Sequence, residues 1–374
     1  YVPGERFRDV QKPGPFAHWE HTHSMRDDGA NASVLTDHIE YRLPAGPLGR
    51  LLGGRTARRK LTAAFTYRHA VTKADVEAHR GTTPARILVS GSGGLVGSAL
   101  VPFLTTGGHS VVRLARDPLS FWDPALATMG ADAVVHLAGE SIAGGRWSAA
   151  RKARIRDSRV DGTRKLAKAV ARWQEKPSVL VCASAIGYYG DRGDTELGED
   201  AKGGEGFLAE TCRAWEKAAQ PARDAGIRVV HLRFGIVLSP LGGALKKMLT
   251  PFKMGAGGPV GSGDQWMSWI AVDDVVGIVH RAIFDEALDG AVNAVAPEPV
   301  VQHNFAKTLG RVLRRPSFLP LPAFAARGAF GEMADELLLS SQRVAPDQLL
   351  RHGYPFRFRR LEDALRHLLG RPEF

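Results

Sequence analysis

Seven residues carry the clearest chemistry in the chain: Gly91-Ser92-Gly93-Gly94-Leu95-Val96-Gly97. A short apolar run, Arg86-Ile-Leu-Val-Ser90, precedes them, and a helix-compatible run through Ser98–Thr105 follows. A strand, a glycine-rich turn and a helix make a phosphate cradle. Gly91 permits the tight turn, Gly93 and Gly94 let backbone approach a pyrophosphate, and Gly97 lets helix pack closely on strand. The helix N-terminus then offers free N–H groups and partial positive charge to the phosphates. A second strand, His109–Ala115, closes the unit. An acidic residue at its end would bind a ribose 2′-hydroxyl, but Ala115 and Arg116 stand there. A guanidinium suits a 2′-phosphate instead. The cofactor expected is NADP(H), with Arg116 on the phosphate and Arg113 assisting.

Elements of alternating type must position this loop. Buried-strand runs recur at Ala133–Leu137, Ser178–Cys182 and Arg228–Leu232, with helical segments at Ala149–Ala171 and Leu208–Ala225 between them. That order predicts an α/β fold, a Rossmann-type doubly wound parallel sheet covered on both faces. It occupies 85–295. A smaller, mostly helical C-terminal lobe follows over 296–374, with 240–270 contributing to the substrate cleft. Residues 1–80 differ. Phe16–His23 and Asp37–Leu43 partly alternate as half-buried strands do, and Leu48 to Ala78 is helix-compatible. Thr82-Thr-Pro84 is the linker.

The bulk properties set bounds. The chain has 374 residues, 44% of them hydrophobic and 24% charged, with a net charge of +11. This reads as soluble and globular, and no apolar stretch is long enough to span a membrane. The basic residues are dispersed and accompany no nucleic-acid motif, and they read as solvated helix faces. Only Cys182 and Cys212 are present, which suggests a reducing cytosol. The thirteen histidines form no HxxxH-type site. His21 and His23 share a strand face, but two histidines do not make a zinc site, and no metal is expected.

Beyond the loop the chain resembles the extended short-chain dehydrogenase/reductases, the superfamily of nucleotide-sugar epimerases and dehydratases. The matching pieces are Ser90–Gly97, Asp132-Ala-Val-Val-His-Leu-Ala-Gly139, Val160-Asp-Gly-Thr163, Ala183-Ser-Ala185 with Tyr189-Gly190, Leu232–Leu238 and Trp269-Ile-Ala-Val-Asp-Asp274. Gly139–Trp147, Ser184–Gly190, Gly261–Trp269 and Ser341-Gln-Arg-Val-Ala-Pro346 narrow the resemblance to its atypical "epimerase family protein" branch. Residues 1–80 resemble the second half of a START-like (SRPBCC) helix-grip domain, a class that holds apolar ligands, and the resemblance implies that Phe16, Trp19, Tyr41, Phe65 and Tyr67 help line one apolar cavity. The span from Arg116 to Ala133 is short for the third strand the superfamily fits there.

The resemblance implies a site and exposes a gap. Leu137, Ala138 and Gly139 should flank the cofactor. Ser184 matches the superfamily serine that aligns a substrate hydroxyl, and Tyr188 and Tyr189 lie just beyond it as candidate proton donors. The Tyr-x-x-x-Lys pair that does the acid–base work is missing: Phe207 would face Thr211, or Leu208 would face Cys212. Without the lysine a phenol is a poor base at neutral pH. Glu140, Arg146 and Trp147 are expected beside the nicotinamide half, with Arg233, Trp266, Ser268 and Trp269 on the opposite wall for an anionic, nucleotide-linked or other substrate. Asp273 and Asp274 read as helix caps. Three readings stay open: an NADP(H)-dependent epimerase or reductase, a non-catalytic NADPH-reading sensor or scaffold, and an apolar-ligand carrier resting on the N-terminal piece.

Overall fold

The structure, a computed structural model, describes residues 2–30, 32–114 and 130–371. It forms two compact units, Tyr1–His69 and Ala70–Phe374. The division falls inside a helix, ahead of the Thr82–Pro84 linker.

The first unit is an antiparallel sheet in the order β1 (Arg6–Val10), β2 (His18–Asp27), β3 (Ser33–Arg42). The helix α1 (Gly46–Ala78) follows. Strands and then a long helix match the order read from the sequence, and β1 is an addition to it. Phe16 packs on Trp19 and Tyr41 with ring centroids 5.1 and 5.3 Å apart, and Phe65 packs on His21 at 5.1 Å. Tyr67 stands 37% exposed. Period-two alternation sends His21 and His23 to one face of β2, where both are buried. Two buried histidines thus lie among the aromatics expected to line an apolar cavity.

The second unit is built on six parallel strands: β4 (Arg86–Ser90), β5 (Ser110–Leu114), β6 (Ala133–His136), β7 (Val179–Ala185), β8 (Arg228–Phe234) and β9 (Gly290–Ala294). Their order is β9-β8-β7-β6-β4-β5. Helices α2 (Leu95–Thr106), α3 (Ala149–Val170), α4 (Phe207–Lys217) and α5 (Val272–Phe284) connect them. Leu100, Phe103 and Leu104 of α2 share one core with Val275, Ile278 and Val279 of α5. Leu166 and Val170 of α3 share another with Leu88, Val134 and Leu180. Burial on both faces is why these strands are continuously apolar rather than alternating. The chain crosses from one side of β4 to the other between β5 and β6, which makes the C-terminal end of β4 the switch point where such sheets bind ligands.

Three details differ from the sequence expectation. The segment read as one helix over Leu208–Ala225 breaks after Lys217 and restarts at Gln220–Asp224, with Pro221 in the new first turn. Gly290–Ala294 joins the sheet as an edge strand, although Gly, Ala and Asn give little strand signal. Asp273 and Asp274 do not cap their helix, whose cap position is Ala271. Instead Asp274 accepts hydrogen bonds from the Arg357 and Phe358 N–H groups at 2.8 and 3.1 Å, pinning the C-terminal lobe to α5. Arg116, and the expectation about the span from it toward Ala133, lie outside the described residues.

Burial pushes the Asp274 carboxyl up to about 7. The folded protein therefore holds a proton that the unfolded chain releases near the ordinary carboxylate range, so this group's contribution to stability is lost as pH rises toward 7. In Asp274→Asn the loss of stability between pH 4.5 and 8, measured by urea unfolding, should be smaller than in the parent chain.

Candidate nucleotide and substrate site

The glycine loop follows β4 directly. Gly91 has φ +73°, and a Cβ there would lie 2.6 Å from the Leu137 carbonyl carbon, so only glycine fits. A Cβ at Gly97 would collide with the Gly91 backbone. Gly93 is different: a Cβ there meets nothing within 4 Å. Gly94 caps α2 with extended backbone and no side-chain hydrogen bond. The first-turn N–H groups of Leu95, Val96 and Gly97 have no partner within the helix and suit an anion. Ser92 lies in the same turn. Leu137, Ala138 and Gly139 follow β6, with the Leu137 N–H donating to Ser90 O at 3.1 Å. Below the loop, Ser90 Oγ and His136 Nδ1 are 2.6 Å apart and tie β4 to β6. Burial drives the His136 pKa down to about 4, so the ring is neutral. Arg113 is exposed on β5, paired with Val89 of β4.

At the ends of β7 and β8 the polar groups converge into one buried network. Arg233 grips Glu216 of α4 through Nε at 2.8 Å and Nη2 at 2.9 Å. Ser184 Oγ donates to the same carboxylate at 2.7 Å. Arg233 Nη1 donates to the Tyr189 hydroxyl at 2.9 Å and to Glu199 O at 3.1 Å. The Tyr189 hydroxyl donates to Asn293 Oδ1 at 2.7 Å. Tyr189 is fully enclosed, and burial pushes its pKa up to about 12. Tyr188 is half-buried, and the Arg233 guanidinium lies 3.6 Å from its ring centroid. Cys182 and Cys212 are buried, and burial, with the charge of Glu216, pushes both thiols up to about 12.

The other expected site residues separate into two groups. Glu140 follows Gly139 and is held by Arg154, whose Nε lies 3.3 Å from its Oε1. Trp147 is half-buried, donates from Nε1 to Ile142 O at 2.8 Å, and meets Phe207 edge-on at 5.2 Å. Arg146 is exposed beside Gly331. Trp266, expected on the opposite wall, donates to Asp194 at 2.9 Å. Ser268 and Trp269 turn inward: both are fully buried, with Ser268 Oγ on Gln342 O at 2.8 Å and Trp269 Nε1 on Glu298 O at 3.0 Å. They build the core instead of the cleft, because their polar atoms are already satisfied by backbone.

Sequence reasoning passed over Glu216, Arg159 and Glu336. Arg159 of α3 packs on Gly139 and donates to Glu140 O at 3.0 Å. Glu336 accepts from the Phe207 and Leu208 N–H groups at 3.0 and 3.2 Å, capping α4 at its start. Glu216 lies about two and a half turns along α4, and nothing local in the sequence marks it.

Residues 87–294 match the NAD dependent epimerase/dehydratase family, and residues 321–368 match a domain of unknown function, DUF1731. An epimerase family protein of Mycobacterium bovis is 42% identical over 299 residues, 77% of this chain and 99% of that protein. The chain belongs to the NAD dependent epimerase/dehydratase family. Among solved structures, this epimerase-family chain is similar to the nucleoside-diphosphate sugar epimerase from Corynebacterium glutamicum, at 37% identity and a TM-score of 0.79, covering 99% of this chain and 75% of that one. It is also similar to human epimerase family protein SDR39U1, crystallised with NADPH, at 36% identity and a TM-score of 0.71, covering 76% of this chain and 98% of that one.

Breaking a buried ion pair on one side strands a charge and costs about 3–5 kcal/mol. Arg233→Met should destabilise this epimerase-family protein by that order in urea unfolding. Glu216→Gln combined with Arg233→Met should recover part of the loss.

Proposed function

We propose that the chain binds NADP(H) on its glycine loop and acts as an atypical short-chain epimerase or reductase on an anionic, nucleotide-linked substrate. One observation carries the cofactor half: the open space over Gly93 beside a helix start that no side chain caps. The residues present fit a pyrophosphate there. The absence of an acid at Ala115 and Arg116 supports the 2′-phosphate form, as does the NADPH crystallised with the human relative. NADP(H) would supply hydride transfer. Arg146 and Trp147 would receive an anion and a flat ring. Tyr188 is the candidate proton donor, because it alone of the pair keeps exposure. The nucleotide-sugar half follows from the description of the Corynebacterium relative.

A second reading, an NADP(H)-reading sensor or scaffold without turnover, is favoured by a specific observation. Ser184 spends its hydroxyl proton on Glu216, and Tyr189 spends its own on Asn293. Among the described residues no helix is long and apolar enough to cross a membrane. Two buried free thiols accord with a reducing compartment, and we place the protein in the cytosol.

In calorimetric titration NADPH should bind more tightly than NADH, and Arg116→Ala should weaken NADPH alone by about 1.5–3 kcal/mol, the range for a hydrogen bond to a charged group. Equal affinities would refute the phosphate assignment. Gly93→Val should leave the circular dichroism spectrum and melting unchanged while abolishing NADPH binding. Retained affinity in that variant would move the phosphate site elsewhere. Tyr188→Phe should slow any turnover of a UDP-sugar while NADPH affinity stays constant. Turnover at the parental rate would sink the donor assignment, and no turnover by the parent chain would favour the sensor.

A further inference from the structure

The unit Tyr1–His69 is centred on ionisable side chains. Among its described residues only His21 and His23 are buried, at 4% and 2% exposure. The Asp37 side chain beside them is 2% exposed. Strand register explains the meeting: His23 pairs with Asp37 across β2 and β3, and His21 pairs with Asp9 across β1 and β2.

Hydrogen placement on the two rings follows from Asp37. Its Oδ1 takes a hydrogen bond from His21 Nε2 at 2.9 Å and lies 2.6 Å from His23 Nδ1. Its Oδ2 faces His69 Nε2. Ring nitrogens this close to a carboxylate oxygen carry the hydrogen. The Arg68 guanidinium stands farther off, at 3.4 Å from His23 Nδ1. Neutral rings in these tautomers leave lone pairs on His21 Nδ1 and His23 Nε2. Both of those atoms lie 3.5 Å from one and the same atom, Asp9 Oδ1. Two lone pairs and an anionic oxygen at this spacing repel one another unless a proton or a metal cation lies among them. The spacing suits one: tetrahedral zinc with bonds of about 2.0–2.1 Å sets its ligand atoms about 3.3 Å apart. A carboxylate on the far nitrogen of each histidine is the usual means of orienting a metal-binding imidazole.

We propose that Asp9, His21 and His23 form a site for a divalent transition cation of the zinc type, with Asp37 holding both rings in the ligating tautomer. Asp9, 55% exposed at its side chain, gives the ion access from solvent. Phe7 stacks on His23 at 3.9 Å and Phe65 meets His21 at 5.1 Å, so the rings are fixed from the apolar side. A second trio, His79, His109 and His280, also brings ring nitrogens together. There the Ala85 N–H donates to His109 Nδ1 at 3.1 Å, which leaves the proton on Nε2 and removes that ring as a ligand.

The test is zinc titration of the chelator-stripped chain by calorimetry, with cobalt as a spectroscopic probe of coordination. One ion per chain is expected, with a cobalt visible spectrum of tetrahedral intensity. Asp9→Ala, at an exposed side chain, should weaken zinc at least tenfold without changing the circular dichroism spectrum. His23→Ala should abolish binding, and Asp37→Asn should weaken it roughly ten- to a hundredfold. His38→Ala, at an exposed histidine of the same sheet, should change nothing. Absence of saturable binding by the parent chain overturns the proposal. So does zinc affinity that survives Asp9→Ala, or that is lost with His280→Ala instead.

Discussion

The bidentate contact between Arg233 and Glu216 is the interaction on which the candidate substrate site depends. Arg233 ends β8 and Glu216 sits on α4, so the pair joins the sheet to the helix that covers its C-terminal end. A planar guanidinium matched to a carboxylate fixes both orientation and distance. Such a pair is tolerable in the interior only when its remaining donors and acceptors are filled. Ser184, Tyr189 and the Glu199 carbonyl fill them. Asn293 then carries the network to the edge strand and on to Ala345 O at 2.8 Å, reaching the C-terminal lobe.

The two halves of the crevice therefore differ in kind. At the glycine loop the first-turn N–H groups of α2 have no partner within the helix, which is the condition for binding an anion. At the serine–tyrosine side the polar groups are spent on one another. The arginine among them is paired with Glu216 and stacked on Tyr188. The family membership fixes the fold; in the function proposed, the chemistry rests on whether Tyr188 can move a proton.

The fold was legible where the constraints are local. Gly91 and Gly97 are dictated by a single turn, and the doubly buried strands announce themselves as apolar runs. Residues whose roles depend on distant packing were not legible. Glu216 looks like any helix surface carboxylate until α4 is laid across β7 and β8. Ser268 and Trp269 sit in a motif rich in aromatic and polar residues, and nothing local says that they point inward. In the N-terminal unit, His21 and His23 showed their shared face. Asp9 and Asp37 become their neighbours only through the register of three strands, one of which, Arg-Phe-Arg-Asp-Val, is exposed throughout and has no buried face to mark it.

A crystal structure of the chain with NADPH tests the account most directly. It should place the pyrophosphate on the Leu95 and Val96 N–H groups above Gly93, with Ser184 still bound to Glu216 and Arg233 still bridging Glu216 to Tyr189. A nucleotide seated away from the loop, or a Ser184 hydroxyl released from Glu216 and turned toward the nicotinamide, would contradict it.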